Sequence, residues 1–495
     1  MPGAVTETAD IQALLRSGFG SLTEAEFLLL RIADRAAARA WLAAAPVTSV
    51  ADLATRVPVA TQIALTAEGM RALGVPEAAL AGFADPFLSG MAGDAARSRR
   101  LGDTGTDAPE SWDWGHAAGM PHVLLLLYAE PGQLARHRAT VLPDAQRAGF
   151  EAPSSLGTTN MGGREPFGFA DGISQPQPDW RGVRRPNTPA DVEYGNLIAA
   201  GEFLLGYGNE YGRHAQRPVL DPALDAALLL PAAEDDPTRR DLGRNGSHLV
   251  FRQLAQDVAG FWRALDRVAA GDVARRIGIA EAMVGRRLSG DPLVESGAPV
   301  RGVAPRDQAR NGFTYTRDAL GLRCPIGAHV RRANPRTGDL PAAAPGALAR
   351  LYAAFGFAAR GPRDDLVAAS RFHRLLRRGR EYGTALAPAE ALTAADTVES
   401  GLQFICLNAD IARQFEFVQS AWLNGAKFAG LRDETDPLTG TRRPVPDLIS
   451  DRFTWPRPNG LGERVGPLPR FVRVRGGAYF FLPGLRALRW IAGAG

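Results

Sequence analysis

One pattern recurs four times along this chain: a short apolar segment with strand character, a residue suited to the start of a helix, and then a helical stretch. The strands are predicted at Thr61–Leu65, His122–Ala129, Ser247–Leu254 and Leu402–Leu407. The residues that follow them are Thr66, Pro131, Asp257, and the pair Asn408 and Asp410. Asp and Asn side chains accept the free N–H groups of a helix's first turn, and proline fits that turn. Repeated strand–helix pairs predict an α+β protein of split strand–helix type.

Two of these pairs lie before residue 235 and two lie after it. Between them Pro231–Gly246 is polar and rich in turn-forming residues, as a linker would be. A chain of 495 residues is also long for one domain. We therefore predict two similar halves, residues 1–235 and residues 236–495.

Charge and cysteine content exclude several classes of protein. The formal net charge of +4 is small for this length, and no basic run is interleaved with aromatic residues, so nucleic-acid binding is not supported. The longest apolar run, Val123–Leu127, is too short to cross a bilayer. Cys324 and Cys406 cannot build a disulfide framework, and the N-terminus lacks the basic and apolar regions of a secretory signal. These features favour a cytoplasmic protein that binds neither nucleic acid nor membrane.

A single carboxylate stands out in the segment Arg164–Pro178, REPFGFADGISQPQP. Asp171 lies between Gly168 and Gly172 and close to two phenylalanines in sequence. Apolar neighbours desolvate a carboxylate, which suits it to proton transfer, and glycines permit a close approach of the backbone to a ligand. The alternative is an ordinary turn in which the aspartate caps the backbone.

Two further segments carry candidate ligands. In Arg323–Arg336, His329 and Arg331 would face one side of an extended chain, so that the histidine could bind a metal while the guanidinium pairs with a carboxylate. The alternative is an arginine-rich surface turn. In His373–Gly383, Arg377 and Arg378 follow an apolar stretch. No HExxH motif and no CxxCH motif accompanies them.

Several segments, taken in order, resemble the dye-decolorizing peroxidase family, specifically its long bacterial C-type and fungal branch. The GxxDG hallmark is Gly168–Gly172, GFADG. The other matching segments are residues 62–74, 201–212, 246–262, 323–336, 377–383 and 401–419. The resemblance implies an α+β fold of two ferredoxin-like halves with antiparallel sheets, the haem being held mainly by the C-terminal half.

The resemblance also implies roles for individual residues. Asp171 matches the acid above the haem and His329 the iron ligand below it. Arg377 matches the arginine beside the acid, with Arg378 one position away as the alternative. Glu416 is expected to accept the N–H of His329, and Gln419 is the alternative. The complete set expected to bind the cofactor is His329, Arg331, Gly172, Ile173, Leu402, Phe404 and Glu416.

The implied function is a haem peroxidase that reduces hydrogen peroxide and oxidises phenolic, dye-like or other one-electron donors. One haem b per chain is expected, together with a possible homodimer. Haem handling with incidental peroxidase activity is the main alternative, followed by a structural or cargo protein and by an oxygenase-like enzyme. Surface oxidation of bulky donors would need an aromatic relay, for which the candidates are Trp262, Tyr352, Tyr382 and Trp422.

Overall fold

The computed structural model describes residues 6–184, 194–338, 369–395, 398–457 and 460–493. The helices are α1 (Arg35–Ala44), α2 (Ala67–Ala72), α3 (Glu77–Leu80), α4 (Asp85–Ser89), α5 (Ala95–Leu101), α6 (Leu134–Val141), α7 (Val258–Ala269), α8 (Val273–Val284), α9 (Gln308–Asn311), α10 (His329–Ala333) and α11 (Leu485–Gly493). The strands are β1 (Glu24–Leu30), β2 (Val59–Leu65), β3 (Val123–Ala129), β4 (Ser154–Gly157), β5 (Gln177–Pro178), β6 (Leu197–Ile198), β7 (Val219–Leu220), β8 (Arg240–Asp241), β9 (Ser247–Gln256), β10 (Leu376–Arg377), β11 (Arg380–Gly383), β12 (Ser400–Asn408), β13 (Phe453–Trp455), β14 (Glu463–Val465) and β15 (Val472–Leu482).

The main sheet contains strands from both predicted halves of the chain. Within the described residues it has nine strands in the order β10-β12-β9-β15-β2-β3-β1-β4, with β11 also paired to β12. Its strand pairs are antiparallel, which confirms the predicted α+β class. Strand β15 pairs with β9 along most of its length and meets β2 at Phe481 and Leu65. The strands before residue 235 and those after it therefore form two sets, which this single residue pair joins into one sheet.

The four predicted strand–helix pairs are present, with differences at the helix ends. Thr66 accepts the N–H of Gly69 at the start of α2 (3.0 Å), and Asp257 accepts that of Gly260 in α7 (2.7 Å). Helix α6 begins at Leu134, later than the proline at 131 suggested. The fourth predicted helix is instead two π-helical segments, Ala412–Glu416 and Val418–Leu423. Wider π turns commonly occur at functional sites, and these two supply residues to the cavity described below.

The predicted linker is largely exposed over residues 231–240 and buried over residues 241–246. Asp241 and Asn245 are buried, and Asp241 accepts a 2.6 Å hydrogen bond from Nε of Arg217. A buried carboxylate is tolerated because the guanidinium compensates its charge. Division of the chain near residue 235 stays a prediction.

One apolar core positions the segment that carries Asp171. Phe167 and Phe169 are buried against Phe261 and Trp262 of α7. The indole N–H of Trp262 also donates to the carbonyl of Phe167 at 3.2 Å. Burial of each phenylalanine contributes on the order of 1.5–3 kcal/mol. The helix packed on the sheet therefore holds this segment in place.

Candidate active site

Asp171 is presented by a tight loop that closes on itself. The N–H of Asp171 donates to the carbonyl of Gly163 at 2.9 Å, and the N–H of Glu165 donates to the carbonyl of Phe169 at 2.9 Å. Gly168 has φ of +99°, a conformation in which a side chain would be strained. The glycine of the GxxDG motif is thus required by backbone geometry.

Arg377 is the partner of Asp171. Its Nη1 lies 3.3 Å from Oδ1 of Asp171, and its Nη2 donates to the carbonyl of Ser174 at 3.3 Å. Its backbone N–H donates to the side chain of Gln175 at 3.0 Å. Arg377 on β10 is therefore held beside the segment that follows Asp171.

The side chain of Arg378 does not contact Asp171 and instead lies against the N-terminal segment. Its Nε donates to the carbonyl of Leu14 at 2.7 Å, and its Nη2 donates to that of Leu15 at 3.2 Å. Successive side chains of an extended strand point to opposite faces of the sheet, so only one of two adjacent arginines can reach Asp171. The arginine beside Asp171 is Arg377.

The pKa of Asp171 reflects two opposed influences. Burial raises the pKa of the carboxyl, but the charge of Arg377 and a hydrogen bond from the backbone of Gly172 lower it more, so the pKa lies below its ordinary value. Asp171 is consequently ionised at neutral pH and able to accept a proton.

His329 begins helix α10, and its ring is held by a buried carboxylate. Nδ1 of His329 lies 2.9 Å from Oδ2 of Asp436, whose side chain is fully buried. The other oxygen, Oδ1, accepts the N–H groups of Leu438 (3.0 Å) and Thr439 (2.8 Å). Burial raises the pKa of Asp436, but the charge and hydrogen bond of His329 outweigh burial and lower that pKa to about 2.

The structure corrects the prediction that Glu416 accepts the N–H of His329. Glu416 instead lies 2.9 Å from Nε of Arg97 and accepts a 3.0 Å hydrogen bond from the hydroxyl of Tyr479. The alternative, Gln419, lines the cavity but donates to the carbonyl of Leu101 at 3.1 Å. The π-helical turn directs Glu416 toward the sheet, so Asp436 fills the predicted role.

The structure also corrects the prediction for Arg331. The chain at His329 is helical rather than extended, and residues two apart in a helix point in nearly opposite directions. Arg331 is buried, with its Nη1 3.2 Å from a carboxylate oxygen of Asp318 and its guanidinium 4.3 Å from the ring centroid of Tyr315. It forms an internal ion pair and is not part of the cavity wall.

The pair Asp171–Arg377 and the ring of His329 line the same mostly apolar cavity, which has a volume of about 290 Å³. Asp171 and Arg377 line it from the loop and the sheet, and His329 lines it from helix α10. Ile173, Leu402 and Phe404, all predicted to bind the cofactor, also line it. Gly172, which was also predicted to bind the cofactor, instead donates its backbone N–H to the carboxylate of Asp171.

The sequence interpretation missed several arginines of the cavity wall, among them Arg336 and Arg374. Arg336 donates to the carbonyls of Asn311 and Phe313, and Arg374 donates to the hydroxyl of Tyr194 and the amide oxygen of Asn196. Among the described residues, neither has a carboxylate partner within ion-pair distance. Arg336 ends the segment Arg323–Arg336 that contains His329, so its position in the sequence could have suggested it.

The candidate relay residues are mostly buried. Trp262 is 0% exposed, and Tyr382 and Trp422 are each 9% exposed, whereas Tyr352 lies outside the described residues.

Among the helices that the structure describes, none combines the length and apolar character needed to traverse a bilayer.

Comparisons with known proteins place this chain in a family. No family model matches the chain. The chain is 30% identical over 451 residues to a multifunctional dye peroxidase of an Amycolatopsis species, covering 86% of this chain and 81% of that protein. It is 28% identical over 463 residues to a dye-decolorizing peroxidase of Auricularia auricula-judae, covering 90% of this chain and 78% of that protein.

Solved structures give the same result. A fungal DyP-type peroxidase from Auricularia auricula-judae superimposes with a TM-score of 0.72 and 26% identity, covering 99% of this chain and 100% of that chain. Fold and cavity, together with these likenesses, define an α+β peroxidase, and the homologues imply a haem cofactor. The chain belongs to the dye-decolorizing peroxidase family.

Proposed function

We propose that this peroxidase reduces hydrogen peroxide at the Asp171–Arg377 wall of its cavity, with one haem b per chain bound by His329. The donors that it oxidises are phenolic, dye-like or other one-electron reductants. The observation that supports this most directly is that one apolar cavity is lined by both an aspartate–arginine pair and a carboxylate-held histidine. No observation in this structure favours the haem-handling alternative.

The residues of the cavity suit a haem. Asp436 engages Nδ1 of His329, which leaves Nε2 as the nitrogen able to bind iron. The apolar wall, including Leu402 and Phe404, suits a macrocycle. Arg336 and Arg374 replace Arg331 as the residues that would pair with the haem carboxylates. When bound, haem supplies the iron and the redox chemistry for cleaving the O–O bond.

Asp171 is the proton carrier in this proposal. Its ionised carboxylate takes the proton from one oxygen of hydrogen peroxide and returns it to the other, so that the departing oxygen leaves as water. The guanidinium of Arg377 stabilises negative charge on that oxygen. Two one-electron donors then supply two electrons and two protons, which balances the reduction of one peroxide to two waters.

The test is an absorption spectrum of the haem-reconstituted protein before and after one equivalent of hydrogen peroxide. We expect a Soret band that changes on addition of peroxide, and a rate of change that depends on Asp171. A Soret band that peroxide leaves unchanged would instead indicate haem carriage. His329→Ala should lose the Soret band or weaken it strongly, and an unaltered band in that variant would refute the ligand assignment.

The cytoplasmic location and the homodimer remain predictions. Size-exclusion chromatography with light scattering on the haem-loaded protein tests the second of these.

A further inference from the structure

Glu165 lies inside the loop that presents Asp171. Its Oε2 accepts the backbone N–H of Phe167 at 3.0 Å, and its Oε1 accepts the backbone N–H of Phe169 at 3.0 Å. The backbone of Glu165 closes the same turn, because its carbonyl accepts the N–H of Gly168 at 2.8 Å. A single carboxylate therefore satisfies two buried backbone donors of the motif that ends in Asp171.

The same carboxylate joins the loop to the floor of the cavity. Nε2 of Gln256, on strand β9, donates to Oε2 of Glu165 at 3.0 Å. Glu165 and Gln256 both line the cavity, and Oε1 of Gln256 is buried with no hydrogen-bond partner among the described residues. Rotation of the amide would let this oxygen accept a hydrogen bond from the O–H of the neutral acid. The anchor can thus persist in both protonation states, which is relevant because burial raises the pKa of Glu165 to about 7.

We propose that Glu165 is a positioning residue for Asp171: its carboxylate fixes the turn Gly163–Asp171 against β9 and so keeps Asp171 beside Arg377. The inference rests on the proposed function, in which Asp171 carries the proton. The contact between Asp171 and Arg377 is a single 3.3 Å hydrogen bond, so a small shift of the loop would break it. Nothing in the proposed chemistry requires Glu165 to touch peroxide.

Among the described residues, charged groups of both signs act on Asp171. Their signs distinguish a change in the position of Asp171 from a purely electrostatic change in its pKa. Arg377 and His329 lower its pKa. Glu165 and Glu381 are acidic neighbours, and the charge of Asp171 raises the pKa of each. Removing either acidic neighbour would by charge alone lower the pKa of Asp171 or leave it unchanged. Moving Asp171 away from Arg377 would raise it.

The first experiment compares Glu165→Gln with the control Glu381→Gln in the haem-loaded protein. Glutamine keeps only one acceptor oxygen, so it cannot hold both backbone N–H groups. We expect Glu165→Gln to slow the reaction with hydrogen peroxide by on the order of tenfold to a hundredfold. The acidic limb of the pH–rate profile of this variant should move to higher pH by about 0.5–1 unit. Glu381→Gln should move the limb to lower pH or leave it in place. A Glu165→Gln profile that follows the Glu381→Gln profile would overturn the proposal.

The second measurement does not depend on activity. Hydrogen exchange of the amides of Phe167 and Phe169 should be faster by about tenfold in Glu165→Gln and unchanged in Glu381→Gln. Unchanged exchange in Glu165→Gln would refute positioning, whatever role Asp171 has. Failure of the proposed function would be seen separately, as an Asp171→Asn variant that reacts normally with peroxide. If Glu165→Gln does not fold, Gln256→Met removes one hydrogen bond and should give smaller changes in the same directions, and no change in that variant would refute the proposal.

Discussion

Nδ1 of His329 and Oδ2 of Asp436 are 2.9 Å apart although 107 positions separate the two residues in the chain. The low pKa of Asp436 makes it a hydrogen-bond acceptor only, so the proton of the pair belongs on Nδ1 of the imidazole. This arrangement fixes the ring orientation and increases the basicity of Nε2.

Asp436→Asn should therefore weaken haem binding by about 10–100-fold, since an amide cannot support the imidazole as a carboxylate does. Titration of the apoprotein with hemin, followed at the Soret band, measures the change. Glu416→Gln is the matched control, because Glu416 pairs with Arg97 and not with His329. We expect that variant to bind haem normally while its melting temperature falls. Equal losses of affinity in both variants would contradict the assignment of Asp436.

Asp171→Asn should slow the reaction with hydrogen peroxide by about 10²–10⁴-fold while haem stays bound. The substitution keeps the size of the side chain and the neighbouring hydrogen bonds but removes the proton acceptor. Stopped-flow absorption at the Soret band gives the second-order rate constant. Wild-type rates in this variant would remove Asp171 from the chemistry.

The pH profile of the peroxide reaction should depend on Arg377. Burial raises the pKa of Asp171, but the charge of Arg377 outweighs burial and holds that pKa below its ordinary value, so the wild-type rate should stay constant through mildly acidic pH and fall only in more strongly acidic solution. Arg377→Leu leaves burial unopposed by this guanidinium, so the acid limb should move up by about 1–3 pH units. Arg378→Leu removes the same charge from a residue that contacts Leu14 and Leu15, and its limb should stay in place. A shift in the Arg378 variant equal to that in the Arg377 variant would mean that the effect is not local.

Replacement of the cavity arginines should affect haem, whereas replacement of Arg331 should affect folding. Arg336→Leu and Arg374→Leu should lower haem affinity, because each removes a charge from the cavity wall. Arg331→Leu leaves Asp318 buried without its guanidinium, which costs about 3–5 kcal/mol of stability. Hemin titration and urea denaturation of each variant separate the two effects. Stronger loss of haem affinity in Arg331→Leu than in the other two would restore the original prediction.

Strand–helix pairs and the fold class could be predicted because they depend on local sequence. Apolar runs such as Val123–Ala129 and capping residues such as Asp257 act within a few positions of the element they specify. The merger of the strands into one sheet could not be predicted, because the pairing of Phe481 with Leu65 joins distant parts of the chain.

Loop residues that line the cavity could be predicted where they belong to a recognised motif, as Asp171 does. Asp436 was missed because its partner is distant in sequence, and a Thr-Asp-Pro tripeptide otherwise indicates a turn. Arg331 was misplaced because an extended chain was assumed where helix α10 begins. Glu416 was misplaced because the segment Ala412–Glu416 was expected to form an ordinary α-helix. It forms a π-helix, which turns its side chains to different directions.

The position of β15 between β9 and β2 has a consequence for biosynthesis. The ribosome releases residues 472–482 last among the strands of the sheet, yet both neighbours of β15 are made much earlier. Until then the nascent chain carries an unpaired edge of β9, which is prone to pair with other chains. Premature termination before residue 472 should therefore yield aggregation-prone fragments, and chaperone capture of ribosome-bound chains should end when this strand emerges.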